Sequence, residues 1–287
     1  MKNSLKIAIL SYRSAPFGGG QGIYVYELSK ALKQLGHQVD IISGPPYPEL
    51  IPGIKLIKLP GLNLFSTFKF RDRLDLFLNK KNKSFDDWYE FSSTLLGGFP
   101  ELQTFGNRAH SYLLDKTYDV VIDNQSISYG AVKIQDSFPL VEMMHHPISK
   151  DYYYDLKFAK GILQRISKIR WYSFLKMQKI SAKKINVIVT PSVNSKADIH
   201  IDFKVPMENI QVIPNGIDCD IFCPLPQILS KKNRLITTAS ADVPLKGLDF
   251  SLEAIARLKP EYPDIHLMVI GSPRKEGHTE RLIKKLE

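Results

Sequence analysis

The sequence predicts an α/β protein built on a doubly wound parallel sheet, and three observations carry that expectation. An apolar run at 6–10 leads through a glycine-rich loop, Pro16-Phe17-Gly18-Gly19-Gly20-Gln21-Gly22, into a helical pattern and then a second apolar run at 39–42. Strand, glycine loop, helix and strand in that order make a βαβ unit, whose sheet is parallel. Further apolar runs at 119–122, 140–144 and 187–190 each end in a polar or turn-forming cluster. Beyond Asp218 the rhythm restarts with runs at 235–239 and 265–270, so a second α/β unit follows the first.

Each element has a local reason. Lys6-Ile7-Ala8-Ile9-Leu10 shows no polar alternation, as a strand covered on both faces requires. Val25, Leu28, Leu32 and Leu35 recur at helical spacing, and Gly36 supplies a left-handed stop. From 44 to 105 the pattern is irregular, with Pro45-Pro46, Pro48, Pro52, Pro60 and Gly97-Gly98, and reads as one strand plus helical insertions. Val212-Ile213-Pro214-Asn215-Gly216-Ile217-Asp218 is a short strand with a punctuated exit. Pro214 cannot donate to a ladder, and Asn215-Gly216 tolerates left-handed geometry. Leu248, Leu252, Ile255 and Leu258 mark a helix after the run at 235–239, and a last helix begins near His278.

Composition narrows the class. At 287 residues the chain accommodates about two domains. Its 44% hydrophobic and 24% charged residues are ordinary for a globular protein. No run approaches the roughly 20 apolar residues of a membrane-crossing helix. The first apolar run is too short for a secretory signal and has no small-residue cleavage site after it, so the expected location is the cytosol. Two cysteines, Cys219 and Cys223, exclude a disulfide framework and are too few for a metal centre.

The net charge of +10 points to an anionic partner. Between 157 and 184 lie Lys157, Lys160, Arg165, Lys168, Arg170, Lys176, Lys179, Lys183 and Lys184, with no acidic residue among them. Phe158, Ile162, Leu163, Ile166, Ile169, Trp171, Phe174, Leu175 and Ile180 are interleaved, so the stretch predicts helix with a core face and a basic face. The basic face is either solvated or laid against anionic lipid, where each cation contributes roughly 1 kcal/mol. Nucleic acid has only the charge in its favour and is not an expected partner.

Candidate site residues cluster beyond the carboxyl ends of strands, where open α/β sheets bind ligands. Gly18-x-Gly20 after a strand, with Asp40 about 20 residues on, invites a dinucleotide reading. The third glycine of that fingerprint is missing, because Ile23 or Val25 stands there. Backbone N–H groups of Gly19 and Gly20 at a helix start still suit a phosphate, unless the loop is only a tight turn. Asp123-Asn124-Gln125 and His145-His146-Pro147 close two strands, and Pro147 keeps His146 extended. Either histidine can meet a sugar hydroxyl or serve as a hydrogen-bonded core residue. Lys246-Gly247 opens a helix, where a lysine can pair with phosphate.

Together, Gly18-Gly19-Gly20, His145, Pro191-Ser192-x-x-Ser195, the 212–218 motif and Lys246-Gly247 resemble the family 4 retaining glycosyltransferases in order and approximate spacing. The likeness covers nearly the whole chain. Its most specific parts are Ile213-Pro214-Asn215-Gly216-Ile217-Asp218 and Leu245-Lys246-Gly247. Asp123-Asn124-Gln125, His145-His146-Pro147-Ile148, Arg170-Trp171-Tyr172 and the stretch 240–247 make it most similar to one bacterial subgroup. The resemblance implies a GT-B-like fold of two Rossmann-like, doubly wound parallel-sheet domains. The first, 1–213, would take the acceptor, and the second, 214–287, the nucleotide-diphosphate-sugar donor.

By the same resemblance His145 faces the transferred sugar. Gly19, Gly20, Ser240 and Lys246 meet the donor or its phosphates, and Asn124, Gln125 and His146 lie on the acceptor side. The implied acceptor is a glycan or a lipid-linked sugar, and no cofactor or metal is required. Two departures stand out. Ser240 and Ala241 occupy the positions of the family's Gly-Arg, so either Lys246 works with other donors, such as the Ser240 hydroxyl and backbone amides, or the clamp is weaker; Arg274 and Lys275 are candidate substitutes. The family's late glutamate pair has no counterpart: Glu253 and Glu261 have its spacing but not its loop. The expectation is therefore an incomplete second domain. The alternative function is a catalytically incomplete fragment, or the binding half of a split enzyme.

Overall fold

The computed structural model describes residues 4–16, 19–67, 69–159, 161–239, 246–271, 275 and 277–286. Two compact units form, Met1–Gly216 and Ile217–Glu287, dividing three residues beyond the junction read from the sequence.

The first unit is organised by seven parallel strands: β1 (Lys6–Ser11), β2 (Gln38–Ser43), β3 (Lys55–Lys58), β4 (Val120–Asn124), β5 (Leu140–Met143), β6 (Ile188–Thr190) and β7 (Ile210–Val212). Their order is β3-β2-β1-β4-β5-β6-β7, and every pairing is parallel. The direction of winding reverses between β1 and β4, which opens a crevice beyond their carboxyl ends. Because side chains alternate across a strand, β1 feeds both layers. Ile7 and Ile9 pack with Val25, Val39 and Ile41 on one face. Ala8 and Leu10 join Ile42, Val121, Ile188 and Phe203 on the other.

Helix α1 (Gly20–Gln34) follows β1 directly. Val25 is fully buried on it, whereas Leu35, read as part of the same stripe, caps the helix and is 62% exposed. Gly36 does adopt a left-handed φ of 92°. The insertion after β3 holds α2 (Phe70–Asn79), α3 (Phe85–Leu95) and α4 (Glu101–Leu113). Ser84 and Asp87 form a reciprocal capping box at the start of α3. Arg108 of α4 ties the insertion together, bonding Glu90 at 2.7 Å and Asp87 at 3.3 Å. Glu90 also accepts from the backbone of Leu62. Helix α4 packs on α5 (Tyr129–Gln135) through a close glycine contact between Gly106 and Gly130.

The stretch 157–184 departs from expectation. It is not one amphipathic helix but the end of α6 (Ser149–Phe158), then α7 (Ile162–Trp171), a 3-10 turn and α8 (Leu175–Ala182). The core face lies in α8, where Leu175, Met177 and Ala182 are buried, and in the turn before it, where Tyr172 and Phe174 join the core. Trp171, at the end of α7, meets Phe65 and Phe99. On α7 nothing is buried: Ile162 is 77% and Leu163 85% exposed. Periodicity marks an apolar face but does not say whether anything covers it. The unit closes with α9 (Val193–Phe203), whose Phe203 fills the core beside β6.

The second unit pairs β8 (Arg234–Thr238) with β9 (His266–Ile270) in parallel, with α10 (Leu248–Leu258) and α11 (His278–Leu286). Ala239 and Leu248 are its buried apolar residues among those described. His278 bonds Asp249 at 2.9 Å, linking α11 to the first turn of α10. Cys219 and Cys223 are free and exposed.

Candidate active site

The carboxyl edge of the first sheet, beside the winding reversal, carries the polar groups. His145 stands just past the end of β5, half-buried. Its Nε2 lies 2.9 Å from Asn124 Oδ1. The amide orientation of Asn124 follows from its neighbours. Ser11 Oγ donates to the Arg13 carbonyl, so it can only accept from Asn124 Nδ2. Asn124 Oδ1 is left as the acceptor, the proton sits on His145 Nε2, and Nδ1 keeps a lone pair. Tyr24 of α1 meets the imidazole edge to face, with centroids 4.6 Å apart at 84°. Burial first, then the charge of His146, pulls the His145 imidazole down to about 4, so the ring is neutral at physiological pH.

The backbone of this strand end is also clamped. Gln125 Oε1 accepts from the His145 N–H at 3.0 Å, and Gln125 Nε2 donates to the His146 carbonyl at 3.2 Å. That side chain continues the sheet ladder one step past the strand. Ser195 donates to the His145 carbonyl, and Ser192 caps α9 by accepting from the Ser195 N–H. The Pro191-Ser192-x-x-Ser195 motif thus fastens α9 to the end of β5.

Asn124 and Gln125 are buried, and their amides are committed to His145 and its neighbour. The structure places them behind the imidazole rather than at an acceptor surface. His146 is exposed and its Nε2 lies 3.0 Å from Asp151. Gly19 has φ 145° and Gly20 opens α1; a Cβ at either would meet nothing within 4 Å, which leaves room for a ligand there. Gly22 is different. A Cβ there would stand 2.3 Å from the Ala15 carbonyl, so this glycine lets α1 press against the loop after β1.

In the second unit Lys246 is exposed, and Gly247 caps α10 with φ 67°. Ser240 and Arg274 lie outside the described residues, as does Gly18. The dinucleotide reading of Asp40 fails on geometry. Asp40 Oδ2 accepts from Tyr118, which precedes β4 at the amino-terminal edge of the sheet, opposite to where a ribose would bind.

A second polar group lies beyond β1. Arg13 Nη1 donates to Glu101 Oε2 at 2.9 Å, beside a small cavity lined by Tyr12, Asn63, Glu90 and Arg108. Burial drives the Glu101 carboxyl up to about 7, against the pull of Arg13. Because this pKa exceeds the ordinary carboxylate value, its stabilising contribution is complete below about pH 4.5 and is lost as pH rises through about 7. Relative to Glu101→Gln, the wild-type protein should therefore lose roughly 2–3 kcal/mol of stability across that window. Urea unfolding at about pH 5 and pH 8 checks this.

Sequence reasoning missed Tyr24, Gly22, Arg13 and Glu101. Tyr24 falls on the periodic helix after the glycine loop, so its place beside the first candidate residues was the available signal. Nothing in sequence marks Glu101, whose partner is 88 positions away.

An open parallel sheet with a neutral histidine and polar loops at its winding reversal, followed by a second α/β unit, defines a Rossmann-like protein of the GT-B type. The sequence profile of Glycosyltransferase Family 4 matches residues 18–221, and the chain belongs to that family. An MMP alpha-(1->4)-mannosyltransferase of Mycolicibacterium hassiacum is 40% identical over 286 residues, covering 98% of this chain and 68% of that protein. S. aureus TarM, solved with UDP, matches with a TM-score of 0.58 at 11% identity, covering 98% of this chain and 75% of that one. A glycosyltransferase of Rickettsia africae matches with a TM-score of 0.54 at 15% identity, covering 99% of this chain and 66% of that one. At those identities the two solved structures speak for the fold alone.

Proposed function

We propose that the protein transfers a sugar from a nucleotide-diphosphate sugar to a glycan or lipid-linked acceptor, with retention of anomeric configuration. The observation that carries this reading is His145: a neutral imidazole at the carboxyl edge, held in one tautomer by Asn124. Its Nδ1 lone pair accepts a hydrogen bond from a hydroxyl of the bound sugar and orients the ring without adding charge. The acceptor oxygen attacks the anomeric carbon on the face that the diphosphate leaves. The new C–O bond forms as the C–O(phosphate) bond breaks, and the acceptor proton passes to the departing phosphate oxygen. On the second unit, Lys246 and the backbone N–H groups at the start of α10 are the groups suited to offset the charge of a diphosphate. Cationic groups of the chain serve where a metal would otherwise stand, so chelators should leave transfer unchanged.

Mannose is the first donor sugar to test, given the 40% identity to a mannosyltransferase. Calorimetric titration with nucleotide-activated mannose and other nucleotide sugars should give binding heat. A folded protein that gives none with any donor fits instead an incomplete fragment or half of a split enzyme. Lys246→Ala should lower kcat/KM by about a hundredfold, as removal of one anion-stabilising donor does. An unchanged value would remove Lys246 from the site.

A second reading concerns location: peripheral attachment to the anionic inner face of the cell membrane. The exposed Ile162 and Leu163 of α7, with Lys157, Arg165 and Arg170 nearby in sequence, support it. Among the described residues no helix is long and apolar enough to cross a membrane. Vesicles with anionic lipid should sediment the protein, and about 0.5 M salt should release most of it, since the Debye length falls to a few ångströms. Leu163→Asp should weaken the attachment. Equal binding to neutral vesicles would refute it.

A further inference from the structure

The turn after β4 encloses two carboxyl groups that no step of the proposed reaction uses. Asp123 and Glu142 face each other on neighbouring parallel strands, and both are fully buried. Asp123 Oδ2 accepts from Ser126 Oγ, but Asp123 Oδ1 and both Glu142 oxygens lack a hydrogen-bond partner. Asp123 lies against the backbone N–H groups of Ser126 and Ile127, and Glu142 against those of Gln125 and Ile127. The same turn meets an uncharged group of α8, Gln178, whose Nε2 donates to the Ser126 carbonyl. Among the described residues, no lysine, arginine or histidine pairs with either carboxyl. Two carboxylates so placed cannot both ionise in a dry interior. One proton on Glu142 turns it into a donor toward Asp123 Oδ1, and two orphaned oxygens then share one hydrogen.

We propose that Asp123 and Glu142 are positioning residues for His145: sharing one proton, they hold the turn whose side chains fix the imidazole. That turn is left-handed at Gln125, with φ 66°, and at Ile127, with φ 48°. A β-branched residue keeps such a conformation only where its surroundings over-determine it. The carboxyl pair supplies that constraint from beneath. Gln125 then clamps the peptide of His145, and Asn124, next to Asp123 in the chain, sets the tautomer. Burial raises both carboxyls, and the facing Asp123 raises Glu142 further.

The inference rests on the proposed transfer reaction only in treating His145 as a site residue, and its tests need no turnover. Glu142→Gln keeps a donor toward Asp123 and one negative charge. Glu142 carries a proton in the folded protein that it loses on unfolding, so wild-type stability falls as pH rises. The ratio of the wild-type unfolding constant to that of Glu142→Gln should rise with pH above the ordinary carboxylate range, by at most about tenfold per pH unit. A ratio independent of pH means that the pair holds no proton, and overturns the proposal. Imidazole nitrogen NMR tests the positioning step. Glu142→Gln should keep the Nε2–H signature of His145, and Glu142→Leu should lose it. Ser126→Ala, which removes one tie between the pair and the turn, should shift it even if the leucine variant does not fold. Unchanged His145 signals in Ser126→Ala, or in a folded Glu142→Leu, would reduce the pair to a structural element and overturn the assignment.

Discussion

Gly130→Ala is expected to destabilise the first unit by about 3 kcal/mol or more, the upper range for overpacking a rigid contact. A Cβ on Gly130 would stand 2.1 Å from the Gly106 carbonyl oxygen and 2.7 Å from Gly106 Cα. Both are backbone atoms of α4, which Arg108 holds through Glu90 and Asp87. Nothing flexible can yield, so α4 and α5 must separate, and the packing of Phe105, Ala109, Ala131 and Ile134 loosens with them. Alanine gains about 1 kcal/mol of helix propensity over glycine, which the clash exceeds. Gly106→Ala is the informative control. Its Cβ would meet Ser128 Oγ at 2.0 Å and Ser128 Cβ at 2.8 Å, so the hydroxyl can rotate away while the backbone must still give by a few tenths of an ångström. Ser128 can turn away at the loss of its cap to the Ala131 N–H, worth about 1 kcal/mol. Urea midpoints should therefore order wild type, Gly106→Ala, Gly130→Ala, with the second step the larger. Equal midpoints for the two variants would show that α4 shifts freely.

These glycines illustrate what the sequence could not disclose. The strands were legible because a strand covered on both faces is mostly apolar along its length, as Ile7 to Leu10 of β1 and Ile41-Ile42 of β2 are. The βα rhythm and the carboxyl-edge clusters followed, and so did the family. Gly18-Gly19-Gly20 attracted notice by crowding, yet the tight contact belongs to Gly22, and those at Gly106 and Gly130 depend on distant chain. Glu142 looks like an incidental polar residue within an apolar run; only the register of β4 and β5 sets it opposite Asp123. Asn124 and Gln125 were recognised as site residues by position, but burial turned them toward His145. On α7 the periodicity was real and its burial was not, because amphipathicity is a property of one helix and coverage a property of two.

His145→Ala should lower kcat by at least about a hundredfold while leaving the fold intact, the range expected when one oriented polar group is lost from a reaction centre. The fold should survive because the clamps at this position act on the backbone. Gln125 binds the N–H of residue 145 and Ser195 its carbonyl, and alanine offers both. Asn124→Ala separates orientation from presence. It keeps the imidazole but frees Nε2–H, and a tenfold loss in kcat with little change in KM is expected. The pH dependence gives an independent sign. The imidazole titrates at about 4 in the folded chain, below its ordinary value of 6.5, so the unfolded chain binds the extra proton first. Relative to His145→Ala, the wild-type protein should lose roughly 2–3 kcal/mol of stability between about pH 6.5 and 4. Transfer should be insensitive to His145 ionisation above about pH 5 and should drop only as the ring gains charge and Nδ1 ceases to accept. A wild-type rate that instead fell through pH 6.5 would require an imidazolium in the working enzyme, and the neutral-acceptor role given to His145 would have to be withdrawn.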